Sequence, residues 1–201
     1  MPGPSLRRLA ALALSLALAA CGPATLNADV TRFTALPPVA PALSFTVMPD
    51  QAQRGGLEFQ HYAEMVAERL VRRGWRPLPA GADADAVVTL HWGLGQPSTV
   101  ITQEPAPLGG WGRHPWYGAE PFPAWETRTE TTFPKWLAVD IEDGPAWRAG
   151  EHRMLFEGRA ATLGRSQSAA PAIPHLIRAV FTDFPGINGQ TVRVAVPLNQ
   201  P

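Results

Sequence analysis

The chain has 201 residues, of which 45% are hydrophobic and 17% are charged, and its basic and acidic residues balance to a formal net charge of zero. This composition is typical of one globular domain with a buried core, and it excludes a largely disordered chain. The lack of a strong positive charge argues against nucleic acid as a partner. The sequence holds one cysteine, Cys21, so neither an internal disulfide nor a thiolate metal cluster can form within the chain.

The first twenty residues have the pattern of an export signal. Arg7 and Arg8 precede a short apolar stretch over residues 9–20. Because this stretch is too short to cross a bilayer as a permanent helix, we interpret residues 1–20 as a cleaved signal peptide.

The end of the predicted signal contains a lipidation motif. The sequence Leu18-Ala19-Ala20-Cys21 resembles the lipobox of bacterial lipoproteins. The resemblance implies cleavage before Cys21 and attachment of acyl chains such as palmitate, which hold a protein on a membrane without a transmembrane helix. Gly22, rather than an aspartate, follows the cysteine and favours the outer membrane facing the periplasm. The alternative is an ordinary secretory signal that leaves a free cysteine.

The N-terminal part of the mature chain is predicted to be a tether. Prolines are frequent over residues 21–42, so we interpret this segment as a lipidated, proline-rich lead with a short strand near 29–33. A single globular domain then follows over residues 43–198. Its first element is a strand at 43–48, where apolar and polar residues alternate before Pro49.

A helix and two strands are predicted next. Apolar residues at helical spacing over 57–73, with basic residues in the last turn and Gly74 behind them, predict an amphipathic helix. Residues 75–78 and 84–93 have the composition of a short and a longer strand. The order of strand, helix and strand indicates a helix packed across one face of a sheet.

The second half of the domain combines a long loop with further strands. Residues 94–127 are rich in proline and glycine, and we predict an insertion without regular structure there. Strands are predicted at 129–141 and 153–163 around a turn, a helix within 169–181, and a last strand at 191–196 that suits a sheet edge before Pro197. The fold class is therefore α+β, with a mostly antiparallel sheet of about five or six strands and two helices packed on it.

The chain resembles the family of bacterial envelope lipoproteins known as domain of unknown function 4136 over roughly residues 25–196. The resemblance rests on the lipobox, the early strand containing Phe45, the helix end at 70–75, the strand entry at 82–88 and the closing stretch 181–186. It implies this fold and an envelope location, and it implies no reaction.

Catalytic motifs are absent from the sequence. The five histidines show no spacing typical of metal ligands, and we predict neither a metal site nor a cofactor. Asp140 and Glu142 share a strand face and could form a carboxylate pair, but a solvated surface is the simpler interpretation. His91 and Asp140 are the two candidates for acid and base catalysis if the protein is a hydrolase.

The aromatic content of the predicted loop is its main functional signal. Indole and phenol rings stack on sugars, lie at membrane interfaces and anchor protein partners. The alternative is that these rings fold back and cover the sheet. The candidate binding residues are Trp111, Arg113, Trp116, Tyr117 and Trp125.

These features lead to three functional hypotheses. The first is a non-enzymatic, lipid-anchored envelope protein that binds an envelope protein, lipid or glycan through the loop. The second is a hydrolase acting on envelope polymers. The third is an assembly factor whose sheet edge at 191–196 accepts another strand.

Overall fold

The computed structural model describes residues 24–49, 56–105 and 125–198. In these residues the chain forms eight strands and three helices. The strands are β1 (Thr25–Thr34), β2 (Ser44–Val47), β3 (Arg76–Pro77), β4 (Ala86–Leu94), β5 (Ser98–Pro105), β6 (Trp125–Asp143), β7 (Met154–Gly164) and β8 (Thr191–Pro197). The helices are α1 (Leu57–Val71), α2 (Gly144–Arg148) and α3 (Ile173–Phe181).

The strands form one mixed sheet in the order β3-β2-β4-β6-β7-β1-β8, and β5 pairs with β6 outside this path. Strand β2 runs parallel to both β3 and β4. A parallel pair needs a crossover connection, and α1 provides it between the end of β2 and the start of β3. The α+β class is confirmed. The predicted sheet of five or six mostly antiparallel strands with two helices is wrong, since the sheet is larger and partly parallel and α2 is a third helix.

Strand β1 lies inside the sheet, between β7 and β8, in the segment that composition assigned to a tether. Leu26, Ala28 and Val30 alternate along it, and the last two are fully buried. The prolines of this segment lie at Pro23 and from Pro37 onward, outside the strand. The sheet therefore begins three residues after Gly22.

Strand β5 lies in the segment predicted to lack regular structure. Thr99, Val100, Ile101 and Thr102 are β-branched residues, which favour extended backbone. They pair with the threonine-rich beginning of β6, which also starts earlier than predicted. Proline and glycine content therefore gave the wrong structure for both ends of the predicted loop.

The core lies on one face of the sheet, where α1 and α3 share a single cluster of buried side chains with the strands. Both helices are confirmed within a few residues of their predicted ends. Two apolar residues of the helical pattern that predicted α1, Leu57 and Val71, are exposed. The side chains that α1 buries are Phe59, Tyr62, Val66 and Leu70.

Helix α2 replaces the turn predicted between β6 and β7. The Asp143 carboxylate accepts a hydrogen bond from the backbone N–H of Ala146 at 2.9 Å and so caps the helix. A Cβ at Gly144 would lie 2.0 Å from the carbonyl oxygen of Ala84, so only glycine fits there. Among the described residues, no helix is both long enough and apolar enough to cross a membrane.

Candidate binding surface

A two-stranded ribbon extends from the sheet, formed by β5 and the first part of β6 (residues 98–105 and 125–132). Its cross-strand pairs run from Ser98 and Thr132 at the base to Pro105 and Trp125 at the distal end. The later part of β6 pairs with β4 and β7 instead. Because β6 is one continuous strand, the ribbon continues the strand direction of the sheet beyond the sheet itself.

The two faces of the ribbon differ in charge, because neighbouring residues of a strand point to opposite faces. One face carries Thr99, Ile101, Gln103, Thr127, Thr129 and Thr131, and we call it the uncharged ribbon face. The other carries Val100, Thr102, Glu104, Glu126, Arg128 and Glu130, and we call it the charged ribbon face.

Side-chain contacts hold the base of the ribbon together. On the uncharged ribbon face, the hydroxyls of Thr99 and Thr131 are 3.0 Å apart. On the charged ribbon face, Arg165 donates to the Glu130 carboxylate at 2.8 Å, and this pair lowers the pKa of Glu130. The side chains of Val100 and Ile101 are more than half exposed on opposite faces. Both faces are thus available to a partner.

The residues predicted as a binding site belong mainly to the segment between the ribbon strands. Trp111, Arg113, Trp116 and Tyr117 lie outside the described residues, as does the lipidation candidate Cys21. Trp125 pairs with Pro105 at the distal end of the ribbon through its backbone, and its side chain is outside the description. Residues 106–124 therefore connect two strand ends that lie side by side at the distal end.

The candidate acid and base of the hydrolase hypothesis lie on the sheet face away from the core. His91 on β4 is opposite Ala138, and Asp140 is opposite Thr89, so His91 and Asp140 are diagonal neighbours on one face. The Asp140 carboxylate accepts hydrogen bonds from both terminal nitrogens of the Arg159 guanidinium, at 2.5 and 3.4 Å. The structure therefore brings the two candidates together but engages the carboxylate in an ion pair.

Asp140 and Glu142 are both buried, with 9% and 6% of each whole residue exposed. The prediction of a solvated surface is wrong for both, and each carboxylate is paired with a basic side chain. His152 Nδ1 lies 2.8 Å from the Glu142 carboxylate, and Arg159 Nη1 lies 2.5 Å from the Asp140 carboxylate. Each carboxylate has its own basic partner, and the described residues contain no group of three side chains that could hold a metal ion.

Arg32 is a buried charged residue that sequence reasoning missed. It lies on the core face of β1, and its guanidinium donates to the backbone carbonyl oxygens of Ala179, Val180 and Thr182. Burial lowers the pKa of Arg32, and the nearby Asp183 opposes this effect. The alternation of a strand could have predicted this burial, since Arg32 lies on the same face as Ala28 and Val30.

The described residues define an α+β domain with a mixed sheet and a projecting ribbon. The chain belongs to the family Domain of unknown function (DUF4136), whose model matches residues 30–186. The resemblance found from the sequence motifs is therefore confirmed as to family. No curated protein matches the chain.

Several solved structures are similar to the chain. A PDZ domain protein from Parabacteroides distasonis superposes with a TM-score of 0.51 at 14% identity, over 93% of this chain and 42% of that one. This chain thus spans less than half of that protein, and the likeness shows the fold alone. A PelC dodecamer from Paraburkholderia phytofirmans gives a TM-score of 0.40 at 11% identity, over 78% of this chain and 95% of that one.

Proposed function

We propose that this protein is a lipid-anchored protein of the bacterial cell envelope that binds a partner through the ribbon and the aromatic segment it carries. The lipid is attached to Cys21, and the protein faces the periplasm from the outer membrane. It acts as a binding or assembly module without a reaction of its own. The observation that carries the proposal is the ribbon, which is exposed on both faces.

The proposed anchor rests on the N-terminal sequence. The charged residues at the start, the short apolar stretch and the lipobox ending in Cys21 match the order that lipoprotein processing requires. Two or three acyl chains provide durable attachment, because each buried methylene contributes about 0.8 kcal/mol. Mass spectrometry of the protein from its own host tests this part directly, since it reports the acyl groups on Cys21.

The proposed binding role rests on the exposure of the ribbon, which the packing of the domain does not require. A two-stranded ribbon is at best marginally stable on its own, and this one packs neither face on the core. The connecting segment holds two tryptophans, Trp111 and Trp116, and a third, Trp125, lies at the distal end of the ribbon, a composition that suits a contact surface. The threonines of the uncharged ribbon face also suit hydrogen bonding to a partner.

The test is crosslinked capture of envelope components by matched variants of the ribbon. Ile101→Lys places a charge on the uncharged ribbon face, and Val100→Lys makes the same kind of change on the charged ribbon face. Both side chains are exposed, so neither substitution should alter the thermal unfolding midpoint. We expect the Ile101 variant to lose a specific partner that the wild type and the Val100 variant retain.

The aromatic segment is tested separately by replacing Trp111, Trp116 and Trp125 with alanine. We expect unchanged thermal stability and loss of the same captured partner, because the rings serve the contact. A large fall in thermal stability would instead place these rings in the core and contradict the proposed binding role. Equal capture by all variants would also contradict it.

The alternative function is a hydrolase acting on envelope polymers, and the diagonal placement of His91 and Asp140 favours it. In that case His91 takes a proton from the attacking water or gives one to the leaving group. Asp140 orients the His91 ring or balances the charge that the ring gains. His91→Ala and Asp140→Asn would then abolish release of soluble fragments from purified peptidoglycan or envelope polysaccharide. Equal release by the variants and the wild type would remove this alternative.

A further inference from the structure

The ribbon and the N-terminus of the sheet lie at the same end of the domain. Asp29 on β1 pairs with Ala161 on β7, which pairs with Trp136 on β6. Strands β1 and β6 run in the same direction, so stepping back along both places Ala24 level with Thr131, at the base of the ribbon. The ribbon extends from there in the direction from which β1 enters the sheet.

The chain between the proposed lipid and the sheet is short. The carbonyl oxygen of Ala24 accepts a hydrogen bond from Leu198 at 2.8 Å, which fixes Ala24 beside the end of β8. Only Gly22 and Pro23 separate Ala24 from Cys21. Three residue steps of fully extended chain span at most about 11 Å, so Cys21 lies within that distance of Ala24.

The ribbon reaches farther than this linker. Six residue steps of strand separate Thr131 from Trp125, and at about 3.4 Å per residue they span about 20 Å. Strand β6 lies two strands away from β1, which is a sideways distance of about 10 Å. The distal end of the ribbon therefore extends at least as far beyond the sheet as the anchored cysteine can.

We infer that the distal half of the ribbon lies in the headgroup region of the phospholipid membrane that holds Cys21. This inference rests on the lipid anchor of the proposed function and names the membrane surface as the occupant of the distal half of the ribbon. The linker holds the membrane surface within about 11 Å of this end of the sheet, and the ribbon extends about 20 Å in the same direction. The ribbon therefore reaches that membrane surface.

The chemistry of the ribbon fits the headgroup region and excludes the hydrocarbon layer. Within the described residues each ribbon strand pairs on one side only, so its other edge has free backbone groups that need water or headgroup oxygens. Gln103 and Thr127 offer uncharged hydrogen-bonding side chains at the distal end. Glu104 and Arg128 on the other face need hydration, which the headgroup region supplies.

A basic groove lies at the same end of the domain. Arg69 of α1 and Arg178 of α3 line it together with Pro197, which pairs with Thr25, and its volume is about 260 Å³. Burial and the neighbouring arginines lower the pKa of Arg69. No acidic side chain is among the described residues that line the groove, so its charge favours anionic headgroups.

The test uses the lipidated chain with one fluorescent label on the ribbon. Gln103→Cys places the label near the distal end, and Thr99→Cys places it at the base of the same face, four residues nearer the sheet. Cys21 is acylated in this chain, so the introduced thiol is the one that reacts. The labelled chains are reconstituted in vesicles of phosphatidylethanolamine and phosphatidylglycerol that contain a headgroup-attached nitroxide quencher.

We expect the label at position 103 to shift its emission to shorter wavelength and to be quenched by the nitroxide, and the label at position 99 to change much less. Equal, unchanged emission from both labels in a chain that floats with the vesicles would overturn the inference and leave a protein or glycan as the ribbon's partner. A chain that does not float with the vesicles would overturn the lipid anchor of the proposed function, and this inference with it.

Discussion

The guanidinium of Arg32, on β1, donates a hydrogen bond to the backbone carbonyl oxygen of Val180, near the end of α3, at 2.9 Å. It also donates to the carbonyl oxygens of Ala179 and Thr182 at 2.7 and 2.8 Å. The last carbonyls of a helix lack partners within it and carry partial negative charge. Arg32 satisfies these groups and joins α3 to the sheet by polar contacts inside the core.

Replacing Arg32 with methionine should destabilise the domain strongly. Methionine keeps an unbranched apolar chain but leaves three carbonyl oxygens without this donor. We expect the free energy of unfolding to fall by about 1–3 kcal/mol, the range for buried polar groups that lose their hydrogen-bond partner. Urea unfolding followed by circular dichroism measures the change.

The control for this prediction is Arg193→Met on the neighbouring strand. Arg193 donates to Asp29 at 2.9 Å, but both side chains are more than half exposed, so this pair should contribute little. Equal losses in the two variants would contradict a special role for Arg32.

The elements that sequence predicted well are those with a strong apolar pattern. Helix α1 and strands β2 and β8 repeat apolar residues at the period of their structure, and the structure confirms them. Strand β4 is confirmed as well, and its largely apolar beginning is buried on both faces. Strand β5 has no such signal, because both of its faces are exposed and its partner follows a long intervening segment. Its threonines indicated only a local preference for extended backbone.

Gly158 should be intolerant of even a methyl group. It lies on the core face of β7, and a Cβ there would be 2.6 Å from Val180 Cγ1 and 2.8 Å from Phe156 Cε1. Because both neighbours are buried, Gly158→Ala should force α3 away from the sheet. We expect a loss of about 1–3 kcal/mol in the free energy of unfolding, measured by thermal or urea denaturation.

Gly164→Ala, on the same strand and face, is the matched control for Gly158. Among the described residues its Cβ would meet only the far end of the Lys135 side chain, with Nζ at 2.9 Å, and no backbone or ring atom within 4 Å. We expect stability within about 0.5 kcal/mol of the wild type. A loss as large as that of Gly158→Ala would show that glycine is required along β7 for another reason.

His175 should make the fold less stable in mild acid. Burial and the neighbouring Arg178 lower the pKa of His175, and its Nδ1 atom has no hydrogen-bond partner among the described residues. Its pKa is near 6.5 in the unfolded chain, so the unfolded state binds a proton first as pH falls. Stability should therefore be full above about pH 6.5 and decline as the pH falls toward the lowered folded value.

The measurement is the unfolding midpoint between neutral pH and pH 5, for the wild type and His175→Gln. Glutamine has polar atoms but does not titrate, so the decline attributed to His175 should be absent in the variant. The same decline in both proteins would assign the acid sensitivity to other groups.

The candidate site was less accessible to sequence reasoning than the fold. Asp140 and Glu142 were recognised as sharing a strand face, but their basic partners, Arg159 and His152, come from the next part of the chain. The meeting of His91 with Asp140 depends on the pairing of β4 with β6, whose register no local pattern specifies. The ribbon exists through the pairing of β5 with β6, which no local sequence pattern specifies.

The ion pair of Asp140 and Arg159 provides the last prediction. The Asp140 side chain is 12% exposed and that of Arg159 is 45% exposed, so water partly screens the pair. Arg159→Met should leave the buried carboxylate short of donors and lower the free energy of unfolding by about 1–2 kcal/mol. Adding Asp140→Asn to Arg159→Met should restore part of this loss, because the amide carries no charge and supplies its own donors. Urea unfolding of the single and double variants measures the coupling between the two side chains, and strictly additive losses would show that the carboxylate is stabilised by groups other than Arg159.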